Sequence, residues 1–210
     1  TLTGDIQNSP LDITTINQDG TFSKQVTLTT GDATKTITAT AYDSLNNAGT
    51  ALSDTVKLDT HGPAVLTIQA NPTRTNSTTT ISGTVETPSD LKEIKLTGPI
   101  TGAPVIIPKE QITSGAFTKQ ITLTSSGDIT ATAYDSLNNA GTIKSVSVTK
   151  DTQGPNIISF NITEEITNST TVNVTGKVDM TSADIQKVTL TGDIQNSPLD
   201  ITTINPDGTF

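Results

Sequence analysis

A twelve-residue phrase, ATAYDSLNNAGT, occurs twice in this chain without a single change, at residues 39–50 and 131–142. Each copy is followed at the same distance by a second shared phrase, DTHGP at 59–63 and DTQGP at 151–155. Recurrence of this kind indicates a tandem array. The period of about 92 to 94 residues is too long for short solenoid repeats and matches a whole small β-domain.

A longer duplication joins the two ends of the sequence. Residues 1–22 return at 189–210 with one difference, Gln18 against Pro206, whereas the counterpart at 96–117 matches much less well. The alternation predicts a two-module unit that was duplicated as a pair. The predicted domains are the C-terminal half of a module at 1–63, a complete module at 64–155, and the N-terminal half of a module at 156–210.

This division leaves two interpretations of the half-modules. We expect the segment to be a window from a longer array, because half a sandwich would expose strand edges and an apolar face. In the alternative, the 210 residues are the whole subunit, and 156–210 completes a sandwich with 23–63 of the next copy by strand addition. The duplicated residues 1–22 favour the first interpretation.

The composition is that of a β-protein. About a fifth of the residues are Thr, a β-branched residue that suits strands, and no sustained 3.6-residue periodicity predicts a helix. In the complete module, period-2 alternation predicts seven short strands, which would pack as two layers of an all-β, immunoglobulin-like sandwich. The Pro/Gly-rich stretch 98–111 is expected at a sheet edge.

The same alternation predicts which side chains face the core. In strand order they are Leu66, Ile68, Ile81, Val85, Ile94, Leu96, Phe117, Ile121, Leu123, Ile129, Ala131, Ala133, Val146 and Val148. A counterpart of the Phe117 strand is expected in the first half-module, where Phe22, Val26 and Leu28 have similar spacing. The turn phrases NQDG and NPDG precede this strand, and Pro206 suits the second turn position.

The charge balance bears on partners. A net charge of −9 and a pI of about 4.4 argue against binding nucleic acid or an anionic membrane surface, and they favour metal cations. The sequence has no cysteine, which excludes disulfides and thiolate chemistry. No apolar run of about 18 residues predicts membrane insertion, and no export leader opens the segment. The expected partners are neighbouring modules or copies of the same chain.

The phrase ATAYDSLNNAGT, followed by a strand and by DTHGP or DTQGP, resembles the bacterial and archaeal Ig-like repeats of giant surface adhesins, surface-layer proteins and extracellular fibres. In those repeats a strand ending in a T-A-T-x-D phrase enters an Asn/Gly turn, and an Asp-Thr linker with Pro opens the next repeat. This chain differs in having Tyr42 and Tyr134 before the Asp and AsnAsnAlaGly in the turn. The resemblance implies an Ig-like fold and a location at the cell surface.

The sequence predicts no enzyme. It lacks a nucleophile turn, an HExxH motif and a phosphate-binding glycine loop. The one histidine, His61, stands in the linker where the second copy has Gln153, which favours an exposed spacer residue. The adjacent Glu164 and Glu165 would point to opposite faces of a strand and would not converge on a substrate.

The chemical hypothesis is calcium at the module junctions. In an Ig-like sandwich the loop after the sixth strand and the loop after the second strand lie at the pole that faces the upstream linker. Hard oxygen ligands would gather there in the number that calcium takes. At the first junction they are Asp59, Asp90, Asp135, Asn138 and Asn139, with Asp32 approaching; at the second they are Asp151, Asp128, Asp179 and Asp184.

The alternative is structural. Asp43 and Asp135 would cap their own turns by accepting backbone N–H groups, while the asparagines adopt left-handed conformations. The phrase DSLNNAG does not have the spacing of an EF-hand loop. Both interpretations remain open at this point.

Four Asn-x-Ser/Thr triplets, at Asn76, Asn161, Asn168 and Asn173, are candidate glycosylation sites. Such triplets also arise by chance in a chain rich in Asn and Thr. They would carry glycans only if the source glycosylates its surface proteins.

Three functions follow in order of preference. The first is a structural or filamentous extracellular protein whose modules act as spacers. The second is the stalk of an adhesin, stiffened by calcium. The third is an accessory carbohydrate-binding module of a secreted enzyme, although four Phe, two Tyr and no Trp offer little for a sugar to stack on.

Overall fold

The computed structural model of the chain describes residues 1–163, 166–181 and 185–210. These residues divide into two compact units, Thr1–Lys150 and Asp151–Phe210. The first unit contains the predicted half-module and nearly all of the complete module. The second unit contains the remaining half-module.

The described part of the chain is all-β, with one short 3-10 helix at Lys109–Gln111. None of its helices has the length and apolarity required to cross a bilayer. The strands are β1 Leu2–Gly4, β2 Ala33–Ala39, β3 Leu52–Leu58, β4 Val65–Asn71, β5 Arg74–Thr75, β6 Thr78–Val85, β7 Leu91–Thr97, β8 Val105–Pro108, β9 Ala116–Thr122, β10 Gly127–Asp135, β11 Lys144–Lys150, β12 Ile157–Ile162, β13 Val174–Val178, β14 Val188–Leu190 and β15 Leu199–Ile201.

The complete module forms two sheets. One has the order β4-β6-β9 and the other the order β5-β11-β10-β7-β8. All of these pairs are antiparallel except β5 with β11, which is parallel. The Pro/Gly-rich stretch supplies β8 at a sheet edge, as the sequence predicts, because β8 pairs only with β7.

One hydrophobic core is shared by the two sheets. It contains most of the predicted inward side chains, among them Ile81, Ile94, Leu96 and Ile129, none of which is exposed to solvent. The prediction for the first strand was wrong in part: Leu66 is 50% exposed, while Val65 is 1% exposed and belongs to the core. A register shift between Val65 and Thr67 in the pairing of β4 with β6 reverses the facing of these residues.

The first half-module forms one antiparallel sheet with the order β1-β2-β3. These strands are the repeat counterparts of β7, β10 and β11. The expected strand from Phe22 to Leu28 is absent: no strand is assigned to residues 22–27. In the complete module the corresponding strand, β9, exists by pairing with β6. Residues 1–63 include no counterpart of β6, so the segment has no ladder to join.

The second unit contains two two-stranded sheets, β12-β13 and β14-β15. Phe210 adds to the first sheet, since Phe210 and Gly176 exchange two backbone hydrogen bonds of 3.0 and 3.1 Å. The pairing of β12 with β13 carries a register shift between Ile157 and Ser159, which matches the shift in β4. The second unit thus reproduces the opening strands of the complete module.

Candidate functional site

The linker 59–63 runs against the turn that follows β10, and contacts between them join the first half-module to the complete module. The side-chain amide Nδ2 of Asn139 donates a hydrogen bond of 2.9 Å to the backbone carbonyl of Asp59. At the end of the linker, the Val65 N–H donates to the Thr142 carbonyl at 3.0 Å. The repeated phrase therefore holds the linker at both of its ends.

Two glycines allow the backbones to approach closely at this joint. A Cβ on Gly141 would collide with the backbone carbonyl of Pro63, and a Cβ on Gly62 would lie 2.6 Å from the Gly141 nitrogen. No side chain fits in either place without displacing the backbone. In the first copy of the phrase, a Cβ on Gly49 would meet only the Ala41 oxygen, at 3.5 Å.

The turn itself is built as the structural alternative predicts. Asp135 is 1% exposed, and its Oδ1 accepts the N–H groups of Leu137 at 2.9 Å and Asn139 at 2.8 Å. Its Oδ2 accepts the Asn139 side-chain amide at 2.8 Å. Asn138 takes a left-handed conformation, with φ of 66°. Asp43 makes the corresponding bonds in the first copy.

Three of the predicted metal ligands come together at this joint. Each of Asp59, Asp90 and Asp135 offers a carboxylate oxygen, and these oxygens lie within 4.8 Å of one another. The cluster collects residues from the linker, from the turn before β7 and from the end of β10. The sequence-based hypothesis expected these three carboxylates at one junction, and the structure brings them together there.

A lysine that the sequence patterns do not point to, Lys57, lies beside the cluster. Lys57 Nζ is 3.0 Å from an Asp59 oxygen and 3.9 Å from an Asp90 oxygen. The hydrogen bond to Asp59 raises the pKa of Lys57, and the same bond is the main cause that lowers the pKa of Asp59. The ammonium group therefore neutralises part of the charge that a cation would otherwise meet.

Asp32 lies at the linker, as expected, but bonds to residues beyond Asp59. It accepts the Thr60 hydroxyl at 2.7 Å and the Thr60 N–H at 3.0 Å. His61 Nδ1 lies 2.6 Å from its second oxygen. The Thr60 hydroxyl, followed by the His61 side chain, lowers the pKa of Asp32 from 3.8 to about 2. His61 is an exposed linker residue, so its position agrees with a spacer role.

The remaining predicted ligands make other hydrogen bonds or lie outside the described residues. Asn138 accepts a hydrogen bond from Lys92 Nζ at 2.6 Å. Asp128 accepts the Ser147 hydroxyl at 2.5 Å in the first unit, and in the second unit Asp151 and Asp179 accept backbone N–H groups two residues ahead. Asp184, Glu164 and Glu165 lie outside the described residues.

All four candidate glycosylation sites are exposed. Asn76 lies between β5 and β6, Asn161 lies in β12, and Asn168 and Asn173 lie between β12 and β13. Their exposure would allow modification. It does not separate a used site from a chance triplet, because Asn is commonly exposed.

Three residues of the joint were not predicted from the sequence, namely Lys57, Gly62 and Gly141. The glycines had a signal, since both recur in the shared phrases, but recurrence did not say that the two glycines meet each other. Lys57 had no signal, because the second copy has Thr149 in its place.

Comparison of the chain with protein-family models, curated proteins and solved structures finds no match.

Proposed function

We propose that this chain is a non-enzymatic structural segment of an extracellular cell-surface protein, in which Ig-like modules act as spacers of a stalk or fibre. The observation that carries the proposal is the joint between the linker and the repeated phrase. A half-module and the module after it share hydrogen bonds and backbone contacts there, and they belong to one compact unit. Modules that are fixed to their neighbours are suited to act as spacers, because they keep the two ends of a stalk or fibre apart.

The strand order supports the Ig-like part of the proposal. An Ig-type sandwich places its first, second and fifth strands in one sheet and its third, sixth and seventh in the other. The complete module has β4, β6 and β9 in one sheet and β7, β10 and β11 in the other, and the two share one core. Counted without the two-residue β5, these are the corresponding strands.

Surface location is tested on the cells that make the protein. An antibody against the complete module is applied to intact cells before and after treatment with a protease that does not enter them. We expect the antibody to bind intact cells and the signal to fall after proteolysis, while a cytoplasmic control protein survives. Signal that appears only after lysis would contradict the surface role.

Calcium at the joint is the second candidate, and the Asp59, Asp90 and Asp135 cluster favours it. Three carboxylates are the hard oxygen donors that calcium takes, and carbonyls or water would have to complete its six to eight ligands. Two features oppose tight binding. Lys57 already pairs with two of the carboxylates, and among the described residues no buried side-chain oxygen lacks a hydrogen-bond partner.

This geometry makes the calcium test specific. Calorimetric titration and melting of the 210-residue chain with calcium are compared for the wild type, Asp90→Asn and Lys57→Met. We expect Asp90→Asn to abolish binding and Lys57→Met to tighten it, because the variant removes a competing charge. Asp128→Asn, outside the cluster, is the control and should bind as the wild type does. No heat and no rise in melting temperature in any variant would end the calcium hypothesis.

A further inference from the structure

Two Asp–Gly steps occur in the sequence, Asp19–Gly20 and Asp207–Gly208. Each lies in one of the turn phrases NQDG and NPDG, and both aspartates are exposed. In the complete module the same turn has Ser114 before its glycine, so that module contains no such step. Glycine has no Cβ, so the backbone nitrogen that follows each aspartate is open to approach by the aspartate's own carboxyl group.

The reaction open to such a step is isomerisation of the aspartate to isoaspartate. The glycine nitrogen loses its proton and bonds to Cγ of the aspartate, and one carboxyl oxygen leaves as water. A second water then opens the cyclic imide. Attack at the side-chain carbonyl restores aspartate, whereas attack at the former backbone carbonyl leaves the main chain running through Cβ and Cγ. One water leaves and one enters, so the atoms balance without an oxidant or cofactor. The ring closes from the neutral acid, because an ionised carboxylate is a poor electrophile.

At the first step the carboxylate is held by the residue two positions later. Asp19 Oδ1 accepts the Thr21 hydroxyl at 2.7 Å and the Thr21 N–H at 3.0 Å. Hydrogen bonds of this kind favour the ionised carboxylate, and the Thr21 hydroxyl is the largest cause that lowers the pKa of Asp19. The neutral acid, which is the form that can close the ring, is therefore rarer at Asp19 than in an unstructured chain.

The rest of the turn orients the hydroxyl and occupies the attacking nitrogen. Asn17 Nδ2 donates a hydrogen bond of 2.8 Å to the Thr21 hydroxyl oxygen, which leaves the hydroxyl hydrogen for Asp19. The Gly20 N–H donates to the Asn17 carbonyl at 2.9 Å. This second bond is lost when the nitrogen gives up its proton, so the closed turn opposes ring formation at both reacting groups.

The second step repeats the arrangement in different surroundings. Asp207 Oδ1 accepts the Thr209 hydroxyl at 2.7 Å and the Thr209 N–H at 3.1 Å, and Asn205 Nδ2 donates to the same hydroxyl oxygen at 2.9 Å. The Gly208 N–H donates to the Asn205 carbonyl at 2.9 Å. A Cβ on Gly208 would collide with the Val178 carbonyl, whereas nothing lies within 4 Å of the same point in the first turn. The hydrogen bonds therefore come from the turn phrase itself and do not depend on packing against another strand.

We propose that Asp19 and Asp207 are sites at which this chain isomerises spontaneously to isoaspartate, and that the hydroxyl of Thr21 or Thr209 slows the reaction in its own turn. Each threonine is a positioning residue, because it holds the carboxylate and takes no part in the bond changes. Isoaspartate adds a carbon atom to the main chain and so disrupts the turn. In the second turn this also affects β13, whose Val178 N–H bonds to the Gly208 carbonyl at 2.9 Å.

Incubation of the purified 210-residue chain in heavy-oxygen water, at mildly acidic pH and below its melting temperature, tests the proposal. Each passage through the imide adds one heavy oxygen, which mass spectrometry of the digested peptides detects at each site. We expect Thr21→Val to react at Asp19 at least about fivefold faster than the wild type, the effect of losing one hydrogen bond, and to leave the rate at Asp207 unchanged. Thr209→Val should show the reverse pattern. Thr21→Ser keeps the hydroxyl and should react as the wild type does.

An unchanged rate in Thr21→Val, or an equal rise in Thr21→Ser, would overturn the role of the hydroxyl. A rise at both sites in Thr21→Val would mean that the whole chain has loosened, and it would also contradict the proposal. An unstructured peptide that contains the first turn is the reference for the unprotected reaction. If this peptide reacts while neither site takes up heavy oxygen in any form of the chain, Asp19 and Asp207 are not isomerisation sites. These rates do not depend on where the protein resides, so they are independent of the surface role.

Discussion

Asn139 donates a side-chain hydrogen bond of 2.9 Å to the backbone carbonyl of Asp59, which lies 80 residues earlier in the chain. The same amide group also donates a hydrogen bond to Asp135, within the turn that contains both residues. One side chain therefore fixes the shape of the turn and attaches it to the linker of the preceding half-module. Among the described residues, the corresponding amide in the first copy of the phrase, that of Asn47, bonds only to Asp43 in its own turn.

This difference between the two copies predicts the effect of a pair of substitutions. Asn139→Ala should lower the free energy of unfolding by roughly 1 kcal/mol more than Asn47→Ala, because it also leaves the half-buried Asp59 carbonyl without its donor. Urea unfolding of the two variants and the wild type measures the difference. Equal losses would mean that the bond to the linker adds nothing to stability.

The close backbone approach predicts a larger effect at Gly141. Gly141→Ala should cost roughly 1 to 3 kcal/mol, because the new methyl group would force the linker backbone at Pro63 to move. Gly49→Ala, in the identical phrase, is the control and should be nearly neutral, since its methyl group would make only an ordinary contact. Thermal unfolding compares the two. A Gly141→Ala variant as stable as the wild type would show that the linker backbone at Pro63 moves at little cost in free energy.

The lowered pKa of Asp32 predicts that the stability of the chain depends on pH. Its pKa is about 2 in the folded chain against an ordinary value of 3.8, and the Thr60 hydroxyl bond is the largest cause. Because the folded pKa is the lower one, the stabilisation is complete above about pH 4 and is lost as the pH falls toward 2. The difference in melting temperature between the wild type and Asp32→Asn should therefore shrink over this range.

An NMR titration of the Asp32 carboxyl group checks the same prediction directly. Thr60→Val should raise the pKa of Asp32 more than His61→Gln does, because the Thr60 hydroxyl has the larger effect. A pKa at or above 3.8 in the wild type would contradict the structure at this point.

The direction in which the side chains of β4 point predicts different effects of two substitutions on stability. Ile81→Ala should cost about 2 to 5 kcal/mol, since Ile81 is fully buried between the sheets. Leu66→Ala should change stability by less than about 0.5 kcal/mol, because half of the Leu66 side chain is exposed. Chemical unfolding of both variants measures this. A large loss of stability in Leu66→Ala would mean that the Leu66 side chain faces the core, as simple alternation predicts.

At the joint, the sequence predicted the position of the carboxylates but not the partners of every side chain. Asp59, Asp90 and Asp135 were placed together from the expected topology, and their oxygens are neighbours in the structure. Asn138 was expected beside them, but it bonds to Lys92 instead. The positions of backbone elements follow from topology, whereas the direction of an exposed polar side chain depends on which partner is nearest. Sequence alone does not rank such partners.

What the sequence by itself determined is the period of the array, the all-β class, and most of the inward side chains of β6, β7, β9, β10 and β11. Alternation and turn chemistry are local properties, so they can be read without the fold. Only the tertiary structure decided three further features. A bulge turned Val65 inward instead of Leu66, the segment after Phe22 formed no strand without a β6 counterpart to pair with, and the glycines of two distant phrases met. Each depends on contact between segments far apart in the chain, which local patterns do not specify.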